Sequence, residues 1–298
     1  MIVYSKILNS NSDIFLIKLL RKNKWFWFDK FFFDHLSKRQ TLVLIKSLLI
    51  KSQRVIFVQF EGRSHSWKYY KPENMADLVF GYKKLEKSIY WTIFFDEAAK
   101  NINYSPRFIK KSKSNLIRNI CFVSSNTNKI SYIQKKYPDL YREMDIYGNF
   151  HHPIETENVK IVSGKELERS YNSLLTTSRY MASLCIENNS EEGNAQCSAL
   201  WSLRAMTPPI LKTQPCRKNF IRPEFYIDFD DYLKMTKQQR LVEINKVQER
   251  LFSGESYLTN LTKDYLEFFR ESFSGNNEPN LKKIILQSQS FRAKFVTI

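Results

Sequence analysis

Short apolar runs rich in β-branched and aromatic residues alternate along this chain with stretches at helical spacing, and that alternation restricts the fold more than any other feature. Arg54-Val-Ile-Phe-Val-Gln-Phe60 reads as a strand ending at Glu61-Gly62. Ala76–Tyr82 and Ile89–Phe95 are two further strand candidates, and Leu16–Ile50 reads as helix-rich. Residues 96–117 are polar and basic, with Pro106 and Lys110-Lys-Ser-Lys113, as in a linker or exposed loop. A second series starts at Asn119-Ile-Cys-Phe-Val and continues with a helix over Lys129–Arg142 and a turn at Asp145-Ile-Tyr-Gly148. A helix over Lys165–Arg179, a strand over Met181–Ile186 and a helix over Ala195–Ala205 follow. Short strands at Ile210-Leu211 and Phe225–Phe229 precede terminal helices over Tyr232–Phe252 and Tyr257–Phe273. Such alternation lays helices over mostly parallel sheets. The expected architecture is α/β, with two Rossmann-like domains facing a cleft and helices at the C-terminus. The boundaries are 1–110, 111–250 and a helical extension over 251–298.

Glycine scarcity narrows the chemistry. Only seven glycines occur in 298 residues, and the first 61 residues contain no Gly and no Pro. No G-x-G-x-x-G and no G-x-x-x-x-G-K-[ST] is present, so dinucleotide and Walker phosphate loops are excluded. Cys121, Cys185, Cys197 and Cys216 form no C-x-x-C pair and have no zinc-type spacing. Three of them follow or sit among apolar residues and read as core thiols, and a reducing compartment is the simpler inference. The formal charge is +17, and it is unevenly placed. Residues 1–118 hold 23 basic and nine acidic side chains, whereas residues 119–232 hold 13 and 14. The basic third includes Ile14–Phe33, where Trp25, Trp27, Phe31 and Phe32 stand among lysines. That stretch fits either a membrane-surface segment or an amphipathic helix packed on its own domain.

Three segments of the second series resemble one family in order and spacing. The first is Cys121-Phe-Val-Ser-Ser-Asn126, followed by Asp145-Ile-Tyr-Gly148. The second is Leu184-Cys-Ile-Glu187-Asn188-Asn189. The third is Thr207-Pro-Pro-Ile210, with Pro223-Glu-Phe-Tyr-Ile-Asp-Phe229 beyond it. Upstream, Gln59-Phe-Glu61-Gly-Arg-Ser64 matches the stretch after a strand of the first domain. Over roughly residues 54–250 the pattern is similar to the α1,3/α1,4-fucosyltransferases, glycosyltransferase family 10.

That resemblance implies a GT-B-like fold and an inverting, metal-independent transfer of fucose from GDP-fucose to a hydroxyl of a surface glycan, with no cofactor beyond the donor. Glu61 would be the base that deprotonates the acceptor hydroxyl opposite the leaving GDP. Asn126, Lys129, Tyr147, Glu187, Asn188, Gly193 and Asn194 would line the donor site. A Glu accepts from a ribose diol, an Asn donates to phosphate or base, and a helix N-terminus near Gly193–Ala195 holds phosphate through backbone N–H groups. Partners would be a nucleotide sugar and a glycan acceptor, with peripheral membrane association and no nucleic acid. No signal anchor is evident in the first residues, which favours the cytoplasmic face of a membrane, or the Golgi for a eukaryotic source.

The chain departs from the family at costly positions. Family Glu and Lys positions fall at Cys197 and Ser198, the pyrophosphate Arg at Ser131, and a Gly at Thr213. Lys129, two residues before Ser131, is the nearest replacement cation. These losses keep open a second reading, a member that binds nucleotide or glycan without turnover. A basic nucleic-acid-binding protein is the third, weakened because the aromatics fall in strand-like runs and no binding motif occurs.

Overall fold

The structure is a computed structural model that describes residues 30–33, 55–59, 78–81, 84, 86–99, 116–124, 127–148, 159–161, 171–186, 197–212, 219–273 and 280–296. Two sheets organise these residues, and every strand pair in both is parallel. The chain divides into two compact units: Met1–Ile102 with Asn189–Ala195 and Asn260–Ile298, and Asn103–Asn188 with Gln196–Thr259. The last two helices therefore group with the first sheet. Among the described residues no helix is long and apolar enough to cross a membrane.

The first unit holds β1 (Lys30–Phe33), β2 (Val55–Gln59), β3 (Leu78–Gly81) and β4 (Ser88–Tyr90), in the order β1-β2-β3-β4. Lys30–Phe33 lies inside the stretch expected to be helix-rich. Its three consecutive phenylalanines favour a pleated strand, and β2 pairs with it residue for residue. The rest of 14–50 lies outside the described residues. The run Ile89–Phe95 is likewise not one strand. β4 stops at Tyr90, and α1 (Ile93–Ala99) takes the remainder, including Asp96–Ala99 of the expected linker. A fully buried apolar run carries no periodicity that separates strand from helix.

Helices α8 (Asn260–Ser272) and α9 (Leu281–Val296) close this unit. α8 buries Thr262, Tyr265, Leu266 and Phe269, a single face at helical spacing. Its rings meet those after β4: Trp91 stacks on Phe269 with centroids 4.2 Å apart, and Phe95 lies 4.9 Å from Tyr265. α9 supplies polar groups to β4, which stands at the edge of its sheet. Ser288 Oγ accepts from the Tyr90 amide at 2.7 Å, and Gln289 Nε2 donates to the Ser88 carbonyl at 2.9 Å. The Tyr265 hydroxyl donates to the Tyr90 carbonyl. Burial, only partly offset by Ser288, pushes that phenol up, so it stays a donor. An edge strand needs such cover for its unpaired backbone. Ser288→Ala strands a fully buried amide and is expected to cost about 1–3 kcal/mol. Urea unfolding of the full chain measures it.

The second unit holds β5 (Ile117–Val123), β6 (Met144–Gly148), β7 (Val159–Ile161), β8 (Tyr180–Ile186), β9 (Pro209–Lys212) and β10 (Ile227–Asp228). Their order is β10-β9-β8-β5-β6-β7. Cys121 and Cys185 are buried free thiols of the two central strands. Asp145-Ile-Tyr-Gly148, expected as a turn, is instead the body of β6, with Met144, Ile146 and Gly148 buried in alternation. The helix expected over Lys129–Arg142 is two helices, α2 (Thr127–Lys136) and α3 (Pro138–Arg142). Pro138 restarts the chain because its ring fits the first helical position. α4 (Tyr171–Ser178) and α5 (Cys197–Arg204) follow.

The Phe225–Phe229 strand shrinks to Ile227–Asp228. Asp228 accepts from the amides of Asp230 and Asp231, capping α6 (Phe229–Lys234) and drawing Phe229 into the helix. The long helix expected from Tyr232 breaks at Met235. Thr236 and Gln239 form a reciprocal capping box that starts α7 (Lys237–Ser253) afresh, and Gly254 ends it at φ 78°.

Candidate functional site

Strand order in the second sheet turns between β5 and β8. The chain leaves β5 for β6 on one side and leaves β8 for β9 on the other. Ligands of open α/β sheets bind outside the carboxyl ends of the strands at such a point. Three described groups stand there: the end of β5, Ile186 closing β8, and Lys212 closing β9. Ile186 and Lys212 are register partners.

Lys129 reaches this position. It lies in the first turn of α2, because Thr127 opens the helix four residues after β5 ends. Its Nζ donates to the Ile186 carbonyl oxygen at 2.7 Å. The next residues in sequence are Glu187 and Asn188. A cation is thus held at the switch point, beside the segment that carries the family-like pair. Ser131 is exposed and lies two residues along the same helix, about 200° round it. It does not share the Lys129 position.

Tyr147 sits in a polar chain across the sheet. Asn119 Nδ2 donates to Asp145 Oδ1 at 3.1 Å, the Tyr180 hydroxyl donates to Asp145 Oδ2 at 2.7 Å, and the hydroxyls of Tyr147 and Tyr180 are 2.5 Å apart. Burial first, and then Tyr147 and Asp145, push the Tyr180 phenol far up, so it remains a donor at all working pH. Its one proton goes to Asp145, so Tyr147 supplies the proton of the Tyr147–Tyr180 bond. Tyr180→Phe removes the acceptor for Tyr147 and a donor to Asp145, and is expected to cost about 1–3 kcal/mol. Thermal unfolding beside the wild type checks it.

α5 begins at Cys197, so Ser198, where the family carries Lys, lies in its first turn. Ser198 Oγ and Trp201 Nε1, one turn apart, are buried without a hydrogen-bond partner. Such groups call for an explanation. Both belong to the helix that follows the loop from β8.

Sequence reasoning missed two clusters. Lys212 Nζ donates to the Tyr132 hydroxyl at 2.9 Å and to the Tyr137 hydroxyl at 3.3 Å, with the Phe229 ring centroid 4.9 Å away. Its partners are up to 80 residues distant in sequence, so no local spacing announces the contact. In the second cluster Arg222 grips Glu224 and donates to the Ser256 carbonyl at 3.0 Å, while Arg250 donates to the Glu224 carbonyl at 3.1 Å. Burial alone would raise the Glu224 carboxyl, but its backbone hydrogen bond and Arg222 bring it below the usual range. This pair fixes the turn into β10. Glu61, Asn126, Glu187, Asn188, Gly193, Asn194 and Thr213 lie outside the described residues.

No protein-family model and no curated protein matches the chain. Solved structures do. An α1,3-fucosyltransferase with GDP aligns with a TM-score of 0.54 at 16% identity, covering 92% of this chain and 90% of that one. A second α1,3-fucosyltransferase structure gives 0.48 at 14% identity, over 98% and 88% of the two chains. A UDP-N-acetylglucosamine 2-epimerase gives 0.40 at 11%, over 89% and 78%. The first of these shows the fold: a GT-B-like α/β chain with parallel sheets and C-terminal helices.

Proposed function

We propose that this chain is an inverting glycosyltransferase that takes fucose from GDP-fucose and passes it to a hydroxyl of a surface glycan. The observation that carries the reading is the Lys129 ammonium, held on the Ile186 carbonyl at the switch point of the second sheet. A solved structure of similar fold was determined with GDP. The order of Ser-Asn126, Glu187-Asn188 and Pro223–Phe229 along the chain supports the same assignment.

In this reading the nucleotide lies outside the carboxyl ends of β5 and β8. Lys129 meets the diphosphate, where negative charge grows as the sugar leaves, and a preorganised cation there lowers the barrier. Ser198 and Trp201 offer it unspent donors. Tyr147, at the carboxyl end of β6, lines the same crevice. Glu61 takes the proton from the acceptor hydroxyl, on the face opposite the departing GDP. No metal enters the scheme. In this reading the basic first third, with Ile14–Phe33, serves an anionic acceptor or membrane surface, and the reaction runs at the cytoplasmic face of a membrane or, in a eukaryote, in the Golgi.

The test is incubation of the full chain with GDP-fucose and with other nucleotide sugars, against lactosamine-type and lipopolysaccharide acceptors. Transfer with GDP release is expected. A second reading, binding without turnover, is favoured by one observation: the positions of two family cations are filled by Ser131, exposed and uncharged, and by Ser198. GDP binding with no transfer from any donor selects it.

A further inference from the structure

Lys212, Tyr132 and Tyr137 form a group of hydrogen-bond donors that the transfer reaction does not use. An ammonium has three protons, and two of those on Lys212 go to the tyrosine oxygens at 2.9 and 3.3 Å. One proton remains. Each hydroxyl accepts from Lys212, and Tyr137 turns its own proton toward the Tyr132 oxygen, so the Tyr132 proton is the one left to give. Lys136 adds a second positive charge, its Nζ 5.6 Å from the Tyr132 ring centroid and 5.7 Å from that of Tyr137. Among the described residues neither Lys136 nor Lys212 has an ion pair. On the adjoining α6, the Asp228 carboxylate receives two amides of its own helix, Asp231 pairs with Lys234 at 3.2 Å, and Asp230 is exposed. Two cations and two phenols therefore share one spot with no anion among them.

We propose that Lys212, Tyr132 and Tyr137, with Lys136 beside them, bind a tetrahedral oxyanion: a phosphate or sulfate group carried on a ligand. The spare Lys212 proton and the Tyr132 hydroxyl stand 2.9 Å apart at their heavy atoms, so adjacent oxygens of one anion can meet both. Charge-assisted bonds of this kind are the strong ones. The shortage of negative charge also marks the phenol. The Lys212 hydrogen bond first, and the Tyr137 hydroxyl next, outweigh burial and bring Tyr132 down from 10 to about 8. A bound dianion would supply the missing charge and return the proton to Tyr132. This site stands whether or not the chain transfers sugar.

The experiment uses the full chain and inorganic sulfate and phosphate as probes. Calorimetry at neutral pH is expected to show binding of both, weakened roughly tenfold or more in Lys212→Gln, the cost of one charge-assisted bond. The near-ultraviolet tyrosinate absorbance reads the same site in the unliganded protein. One of the 16 tyrosines is expected to ionise near pH 8 in chloride, with that step absent in Tyr132→Phe. Sulfate at about ten times its Kd raises the midpoint by about one pH unit relative to chloride of equal ionic strength, because it binds the protonated form. Absence of heat from both anions overturns the proposal. So does a Tyr132 midpoint equal in the two salts, or binding unchanged in Lys212→Gln.

Discussion

Lys129→Met is expected to slow sugar transfer about 30- to 1000-fold, the effect of removing roughly 2–4 kcal/mol of transition-state stabilisation. Methionine keeps the length of the stem and loses only the ammonium. It forfeits the 2.7 Å bond to the Ile186 carbonyl at the carboxyl end of β8, so thermal unfolding of the variant is measured beside its rate. The loss falls mainly on kcat, since charge on the diphosphate is greatest as the sugar departs. Lys129→Arg recovers part of the rate, because a guanidinium presents a fork to phosphate. A rate unchanged in Lys129→Met would remove this residue from the donor site. Single-turnover measurement of GDP release separates these outcomes.

Glu61→Gln is expected to lower kcat about 10²- to 10⁴-fold with GDP affinity preserved. The amide keeps the shape of the carboxyl and cannot take a proton. Inversion requires one base for the acceptor hydroxyl, and the matching stretch of the sequence offers Glu61 for it. Initial rates at saturating donor and acceptor, paired with GDP affinity, check both halves. Full activity in Glu61→Gln would place the base elsewhere.

The strand pattern of the second unit is legible because a parallel sheet is buried on both faces and writes its strands as unbroken apolar runs. Asn119–Val123 and Met181–Ile186 read correctly, to within two residues, for that reason. The same signal misleads where burial is complete but the element changes. Ile89–Phe95 is apolar but for Thr92, yet Tyr90 pairs in β4 and Phe94 packs from α1. Tyr147-Gly148 looks like a turn in one dimension; the register with Val123 makes it a strand end. α9 falls in the helical extension expected over 251–298, but its bounds are not legible because lysines and serines dilute the pattern, although Ile284, Ser288 and Phe295 are buried.

The candidate site divides in the same way. Lys129 stands out in the sequence as a cation shortly beyond a strand of an α/β unit, the region where ligands of such sheets bind. Its partner, the Ile186 carbonyl, is 57 residues away and belongs to tertiary structure. The Tyr147–Tyr180–Asp145 chain joins β6 to β8 across β5, and the Lys212 cluster joins the end of β9 to α2 and the residue after it, so no spacing along the sequence encodes them. The +17 total charge pointed toward an anionic partner of unspecified kind. The neutral middle of the sequence holds the proposed nucleotide site, and it does so with single, placed cations rather than with a basic surface.

The central claim is that the carboxyl end of the second sheet holds a nucleoside diphosphate. Calorimetric titration of GDP into the full chain, alongside Lys129→Met, tests it most directly. One GDP per chain is predicted, bound about 10- to 100-fold more weakly in Lys129→Met. No binding by the wild type, or equal affinity in the two proteins, would contradict it.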